Sequence, residues 1–119
     1  MPRETVDRYL ALDIRRLRPE LLVPGRKSLV NFHRGSMRLG SLELEARFEQ
    51  VVLRYQAEQP DRTWKHTEQL ISIVFSSCHF GGRRPWFVCP GCRQKVGILY
   101  AASRFRCRGC LNLGYQSQR

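Results

Sequence analysis

From Ser28 to about Phe80 the apolar residues fall at every second position, the period of strands with one dry and one wet face. Leu42, Leu44, Ala46 and Phe48 alternate with Ser41, Glu43, Glu45 and Arg47. After a tight reversal near Glu49-Gln50, Val51, Leu53, Tyr55 and Ala57 continue the pattern as an antiparallel partner. Leu29 to His33 and Met37 to Leu39 are shorter strand candidates separated by Arg34-Gly35-Ser36, and Gly40-Ser41 marks a bulge or turn. Gln59-Pro60-Asp61 is a turn; the segment from Trp64 through Ile71, Ile73 and Phe75 is a further strand, its apolar stretch nearly continuous and so placed centrally. Ahead of this region the period changes. Val6, Tyr9, Leu10, Ile14 and Leu17 recur at three- and four-residue spacing, which predicts an amphipathic helix from about Thr5 to Arg18, ended by Pro19. Leu21, Leu22 and Val23 before Pro24-Gly25 read as a hydrophobic anchor and a turn.

Gly81-Gly82-Arg83-Arg84-Pro85 interrupts the alternation and leads into a strand at Trp86-Phe87-Val88. Val96, Ile98 and Tyr100 alternate, Ala101-Ala102-Ser103 turn, and Arg104-Phe105-Arg106 return. Each of these excursions delivers a cysteine pair, Cys89-Pro90-Gly91-Cys92 and Cys107-Arg108-Gly109-Cys110, with fourteen residues between the pairs. Two short strands and a turn suit that gap, and a two-residue spacing lets each tight knuckle aim both sulfurs at one point. Four soft thiolates match the tetrahedral preference of Zn²⁺, so the segment reads as a zinc ribbon holding one structural zinc on Cys89, Cys92, Cys107 and Cys110. A disulfide framework is the competing use of four cysteines. Met1-Pro2-Arg3-Glu4 runs straight into the amphipathic pattern without an apolar leader core, which points to a reducing, cytoplasmic compartment and free thiols. The expected architecture is α+β and mostly β: a small antiparallel sheet or sandwich with one N-terminal helix over residues 1–82, then the ribbon over residues 83–119.

Charge adds a partner class. The chain of 119 residues has a formal net charge of +11 and a pI near 10.3, which favours an anionic partner, nucleic acid first and an acidic protein or membrane surface behind it. Residues 81–119 hold 8 Lys and Arg and no acid. Four thiolates on a divalent ion remove two of those charges. Only Lys27, Lys65 and Lys95 are lysines, and arginine makes the planar, bidentate contacts that phosphate, carboxylate and guanine accept, although a GC-rich genome produces the same bias. No apolar run approaches the roughly 18–20 residues of a membrane-spanning helix.

The chain resembles small uncharacterised bacterial proteins, often encoded among phage-like or plasmid-like genes, that join a β-rich N-terminal part to a C-terminal four-cysteine zinc ribbon. Leu12-Asp13-Ile14-Arg15-Arg16-Leu17, Pro24-Gly25, Cys78 to Phe87, both knuckles and the closing Tyr115 to Arg119 carry the resemblance. It implies a fold and a metal and no particular activity. Zinc knuckles commonly place glycine just after their second cysteine, where the chain turns left-handed; here Arg93 and Leu111 follow, while Gly91 and Gly109 lie inside the gaps.

Other constellations compete with this reading. Cys78-His79 offers two spare ligands that a closed tetrahedral site does not need. His66-Thr67-Glu68 followed by the first knuckle superficially copies the His-x-Glu and Pro-Cys-x-x-Cys pattern of zinc nucleobase deaminases. Against that, Val88 rather than proline precedes Cys89, the surroundings of His66 are strand-like, and a second cysteine pair closes the shell. Arg83-Arg84-Pro85-Trp86-Phe87 combines cations with rings that either stack on bases or act as hydrophobic mortar between the two parts. The expected contact surface comprises Arg83, Arg84, Arg93, Lys95, Arg104, Arg106 and Arg108, with Arg93 and Lys95 on one ribbon face and likewise Arg104 and Arg106. These features lead to a non-enzymatic binding module that meets nucleic acid, DNA or RNA, through a basic face. The alternative is a protein-interaction or inhibitor module docking on an acidic surface of a nucleic-acid-processing machine. No paired carboxylates, activated nucleophile or phosphate loop offers a catalytic assignment, and no small-molecule substrate or membrane partner is expected.

Overall fold

Alternation builds one broad antiparallel sheet. In a computed structural model, which describes residues 10–34, 36–58, 61–79, 81–102 and 104–112 and only the backbone of 33, 34, 37–39 and 58, the strands are β1 (Ala11–Asp13), β2 (Lys27–Arg34), β3 (Met37–Arg47), β4 (Gln50–Glu58), β5 (Trp64–Ser77), β6 (Arg83–Val88), β7 (Lys95–Val96), β8 (Ile98–Ala101) and β9 (Phe105–Arg106). Strands β2 to β7 form a six-stranded meander in chain order, and a second sheet has the order β1-β8-β9. Register follows the hydrophobic pattern: Leu44 lies opposite Leu53 and Val51 opposite Ile71, so the apolar parity of β3, β4 and β5 shares one face. On the other face Arg54 joins Glu45 at 2.8 Å and Glu68 at 2.8 Å, an ion-paired ladder facing solvent. The strand from Trp64 lies between β4 and β6, inside the sheet as its sequence suggested. Phe48, expected on the dry face, is instead 77% exposed, because Arg47 pairs with Gln50 and leaves Phe48 and Glu49 as the turn, Glu49 with φ 59. Near Gly40 the structure has a bulge: Phe32 pairs with Gly40 but His33 pairs with Arg38.

The predicted helix over Thr5–Arg18 is not formed where the chain is described; Thr5 to Tyr9 lie outside the described residues. Ala11–Asp13 is a strand and Ile14–Arg16 a 3-10 turn, and the described residues contain no α-helix. Leu10, Leu12 and Ile14 also alternate with period two, and the free edge of β8 selects that period. Leu12 pairs with Leu99, Ala101 N–H donates to Leu10 C=O at 2.9 Å, and Ile14 N–H donates to Gly97 C=O at 2.9 Å. Asp13 then accepts from Arg15 N–H at 3.0 Å, which turns the chain, and Pro19 opens a second 3-10 turn over Pro19–Leu22.

The two sheets enclose one core. Leu12, Leu99 and Phe105 of the smaller sheet cluster with Phe32, Leu42, Leu44, Leu53, Ile71 and Phe87 of the larger, so buried residues from both sides of position 83 share the same hydrophobic contacts. Phe105 is central: its ring stacks 6.4 Å from Phe32 and meets Tyr55 edge-on at 5.1 Å. The chain changes sheets at Gly97, since β7 pairs with β6 whereas β8 pairs with β1. Leu99 rather than Ile98 thereby becomes the fully buried residue of that segment.

Candidate metal centre and adjoining basic groove

β6 ends at Val88 and its next residue, Cys89, is completely buried; β9 ends at Arg106 and Cys107 follows, also buried. The four sulfurs of Cys89, Cys92, Cys107 and Cys110 all lie within 4.8 Å of one another. Cys89 Sγ stands 3.7 Å from Cys110 Sγ, and Cys92 Sγ 3.6 Å from Cys107 Sγ. A tetrahedron of metal–sulfur bonds near 2.3 Å has edges of roughly 3.8 Å, whereas a disulfide needs about 2.05 Å. All four are free thiols, and the set can hold a metal ion in a closed four-sulfur shell.

The backbone turns required for this are present without the customary glycines. Arg93, directly after Cys92, adopts φ 65 and donates its N–H to Cys89 C=O at 2.8 Å. In the second knuckle the left-handed residue is Asn112, φ 53, and Leu111 N–H donates to Cys107 C=O at 3.2 Å. Gly91 has a different reason to be glycine: a Cβ there would lie 2.8 Å from Cys110 Sγ. Backbone amides also point at sulfur, Cys107 N–H to Cys89 Sγ at 3.3 Å and Cys110 N–H to Cys107 Sγ at 3.5 Å.

These amides shape the protonation of the cluster. Burial opposes ionisation of Cys89, but the N–H groups of Cys107, Cys92 and Gly91 outweigh it and bring that thiol down to about 6. Burial, followed by the crowding of the other thiols, pushes Cys110 up to about 12, and burial raises Cys107 as well. The Cys89 thiolate is therefore favoured while Cys107 and Cys110 hold their protons more tightly; a cation bound among them would supply the charge that lets those thiols ionise.

Gln69 is the residue that the sequence reading missed. It occupies an apolar-parity position of β5, opposite Leu53, and is 4% exposed. Its Nε2 donates to Phe105 C=O at 2.9 Å, while its Oε1 accepts from Phe105 N–H at 2.9 Å and from Tyr55 O–H at 2.8 Å. The side-chain amide thus pairs with the Phe105 backbone as a neighbouring strand would, two residues before Cys107. The signal in the sequence is a lone glutamine on the face shared by Ile71 and Ile73.

The expected contact residues separate. Arg84, Lys95 and Arg108 come together with Arg15 around a groove of about 430 Å³ beside the second knuckle. Trp86 and Tyr100 contribute rings, and Gly97 and Gly109 contribute bare backbone. Among the described residues no carboxylate lines the groove, although Arg15 is ion-paired to Asp13 at 3.0 Å outside it. The Arg84 guanidinium sits 3.8 Å over the Trp86 ring and Lys95 Nζ 5.1 Å from it, and Trp86 Nε1–H donates to Ser76 Oγ at 2.8 Å. Arg106 pairs with Tyr100 on the adjoining strand and is exposed. Arg83 is on the opposite face of β6, stacked 4.5 Å over Phe75. Arg93 and Arg104 are exposed and line no part of the groove. Of the two rings considered as mortar, Phe87 is wholly buried in the core, whereas Trp86 belongs to the groove. Cys78 and His79 stay outside the cysteine cluster, as do His66 and Glu68, which share the solvent face of β5 with Glu68 bound to Arg54.

No protein-family model, curated protein or solved structure matches this chain. Its chemistry is therefore read from the cysteine cluster and the groove themselves.

Proposed function

We propose that this protein is a non-enzymatic binding module in which one structural Zn²⁺, held by Cys89, Cys92, Cys107 and Cys110, fixes a basic groove that contacts nucleic acid. A redox-inert, tetrahedral ion suits four thiolates of which Cys89 and Cys107 are buried in the core, and a closed shell leaves no position for an activated water. The observation that carries the contact is the grouping of Arg15, Arg84, Lys95 and Arg108 with Trp86 and Tyr100 about one groove that no carboxylate lines among the described residues. Phosphate neutralisation releases counterions, so affinity falls steeply with salt and depends weakly on sequence. A cytoplasmic setting that keeps the thiols reduced belongs to the same reading.

Fluorescence anisotropy of labelled oligonucleotides with zinc-loaded protein at two salt concentrations tests it. Engagement of the four groove cations predicts a log–log salt slope of about −3 on a single strand. Absence of binding at low salt overturns the nucleic-acid reading. A different feature favours the protein-docking alternative: Phe48 is 77% and Phe75 42% exposed around a second cleft that Arg47 and Arg83 flank. Polyglutamate binding that Phe48→Ser abolishes, in a protein that ignores nucleic acid, would put that alternative first.

A further inference from the structure

Resting on the nucleic-acid reading and narrowing it, we propose that the groove beside the second knuckle receives an unpaired nucleotide, so that the protein binds single-stranded nucleic acid in preference to duplex. Three features lead there. The first is shape. The cations converge on a concavity of about 430 Å³, within the size of small-ligand sites, Arg84 and Lys95 from β6 and β7, Arg15 from the 3-10 turn after β1 and Arg108 from the second knuckle. A duplex is a stiff rod whose bases are read by a projecting helix or ribbon entering a groove about 12 Å wide; here the cations lie in a depression, and the described residues contain no α-helix.

The second feature is a stacking platform. Arg84 Cζ lies over Trp86, 3.8 Å from the ring centroid, and the Trp86 hydrogen bond to Ser76 anchors the ring. A guanidinium plane held this way stacks on a base while its N–H groups remain available to phosphate. In a duplex each base face is already covered by its neighbours, so only an unpaired base can use the platform.

The third is the pair of glycines in the wall. Neither Gly97 nor Gly109 has a left-handed φ, and an added Cβ would meet nothing nearer than Arg84 Nη2 at 3.8 Å or Cys107 Sγ at 3.9 Å. Packing does not require glycine at either position, in contrast to Gly91 with its 2.8 Å approach to Cys110 Sγ. What the two absent side chains leave is room in the groove.

The chain has 2 tryptophans, so Trp64→Phe makes Trp86 the sole emitter. Zinc-loaded W64F protein is titrated at low salt with oligothymidine and oligouridine of about 15 nucleotides, and with a duplex of the same length, reading anisotropy and Trp86 emission. The single strands are expected to bind about tenfold or more tighter than the duplex and to quench Trp86. Gly97→Glu, which sets a carboxylate against Arg84, and Arg84→Glu are each expected to cost the single strand about tenfold or more, with zinc content and melting temperature retained. Duplex binding as tight as single-strand binding overturns this inference and leaves the wider reading standing. So does single-strand binding that neither quenches Trp86 nor responds to G97E. Failure of every probe to bind at low salt removes the wider reading together with the inference.

Discussion

Replacing Gln69 with methionine keeps the volume of the side chain and removes both halves of its pairing with Phe105. The Phe105 N–H and C=O then lose their partners at 2.9 Å in a buried setting, and Tyr55 O–H loses its acceptor at 2.8 Å. An orphaned buried polar group costs about 1–3 kcal/mol, so the two backbone groups together predict a loss of about 2–5 kcal/mol after partial relaxation. With an unfolding entropy of about 2.1 cal/mol/K per residue, a chain of 119 residues melts roughly 8–20 °C lower for that loss. The strand that Gln69 steadies runs directly into Cys107, so the metal should also leave more readily. Thermal melting by circular dichroism and a chelator-competition assay measure the two effects on one preparation. A Q69M protein with the parental melting temperature and metal affinity would refute the view that this amide fastens the second knuckle to the larger sheet.

Gly91→Ala places Cβ 2.8 Å from Cys110 Sγ and should weaken metal binding by about tenfold or more, whereas Gly109→Ala, with 3.9 Å of clearance from Cys107 Sγ, should leave it unchanged; chelator competition ranks the two. Chelation of the metal should destabilise the whole domain in one transition, because Phe87, Leu99 and Phe105 share a core with β2 to β5; Trp64 emission and far-ultraviolet ellipticity should therefore shift together, and an unchanged β-sheet melt after metal loss would contradict this. Metal uptake at neutral pH should release at least two protons per ion, from Cys107 and Cys110, whose thiols are raised above their ordinary value. For the same reason affinity should fall as the pH is lowered, and a dye-monitored titration in weak buffer counts the protons.

The larger sheet was legible because its alternation is strict and its dry face is apolar apart from Gln69: Leu42, Leu44, Val51, Leu53, Ile71 and Ile73 could face the core together in only one register. The cysteine cluster was legible for a related reason, since two-residue gaps constrain where the sulfurs can point. The N-terminal segment was not, because Leu10, Ile14 and Leu17 satisfy a helical period while Leu10, Leu12 and Ile14 satisfy a strand period. Which one forms depends on a partner, β8, that lies more than eighty residues further along the chain. The groove depended on tertiary structure in the same way. Arg15 reaches it only because β1 pairs with β8, and Arg83 leaves it because adjacent residues of a strand face opposite sides. Gln69 was visible as a polar interruption of an apolar parity, but the backbone it serves belongs to a distant strand.

The central claim is a single zinc ion closed within four cysteine thiolates, and elemental analysis combined with X-ray absorption at the metal edge tests it most directly, on protein prepared under reducing conditions without added metal. The expected result is one zinc per chain with four sulfur neighbours at about 2.3 Å. A metal-free protein with its four cysteines paired as disulfides, or a zinc whose shell contains oxygen in place of one sulfur, would contradict it.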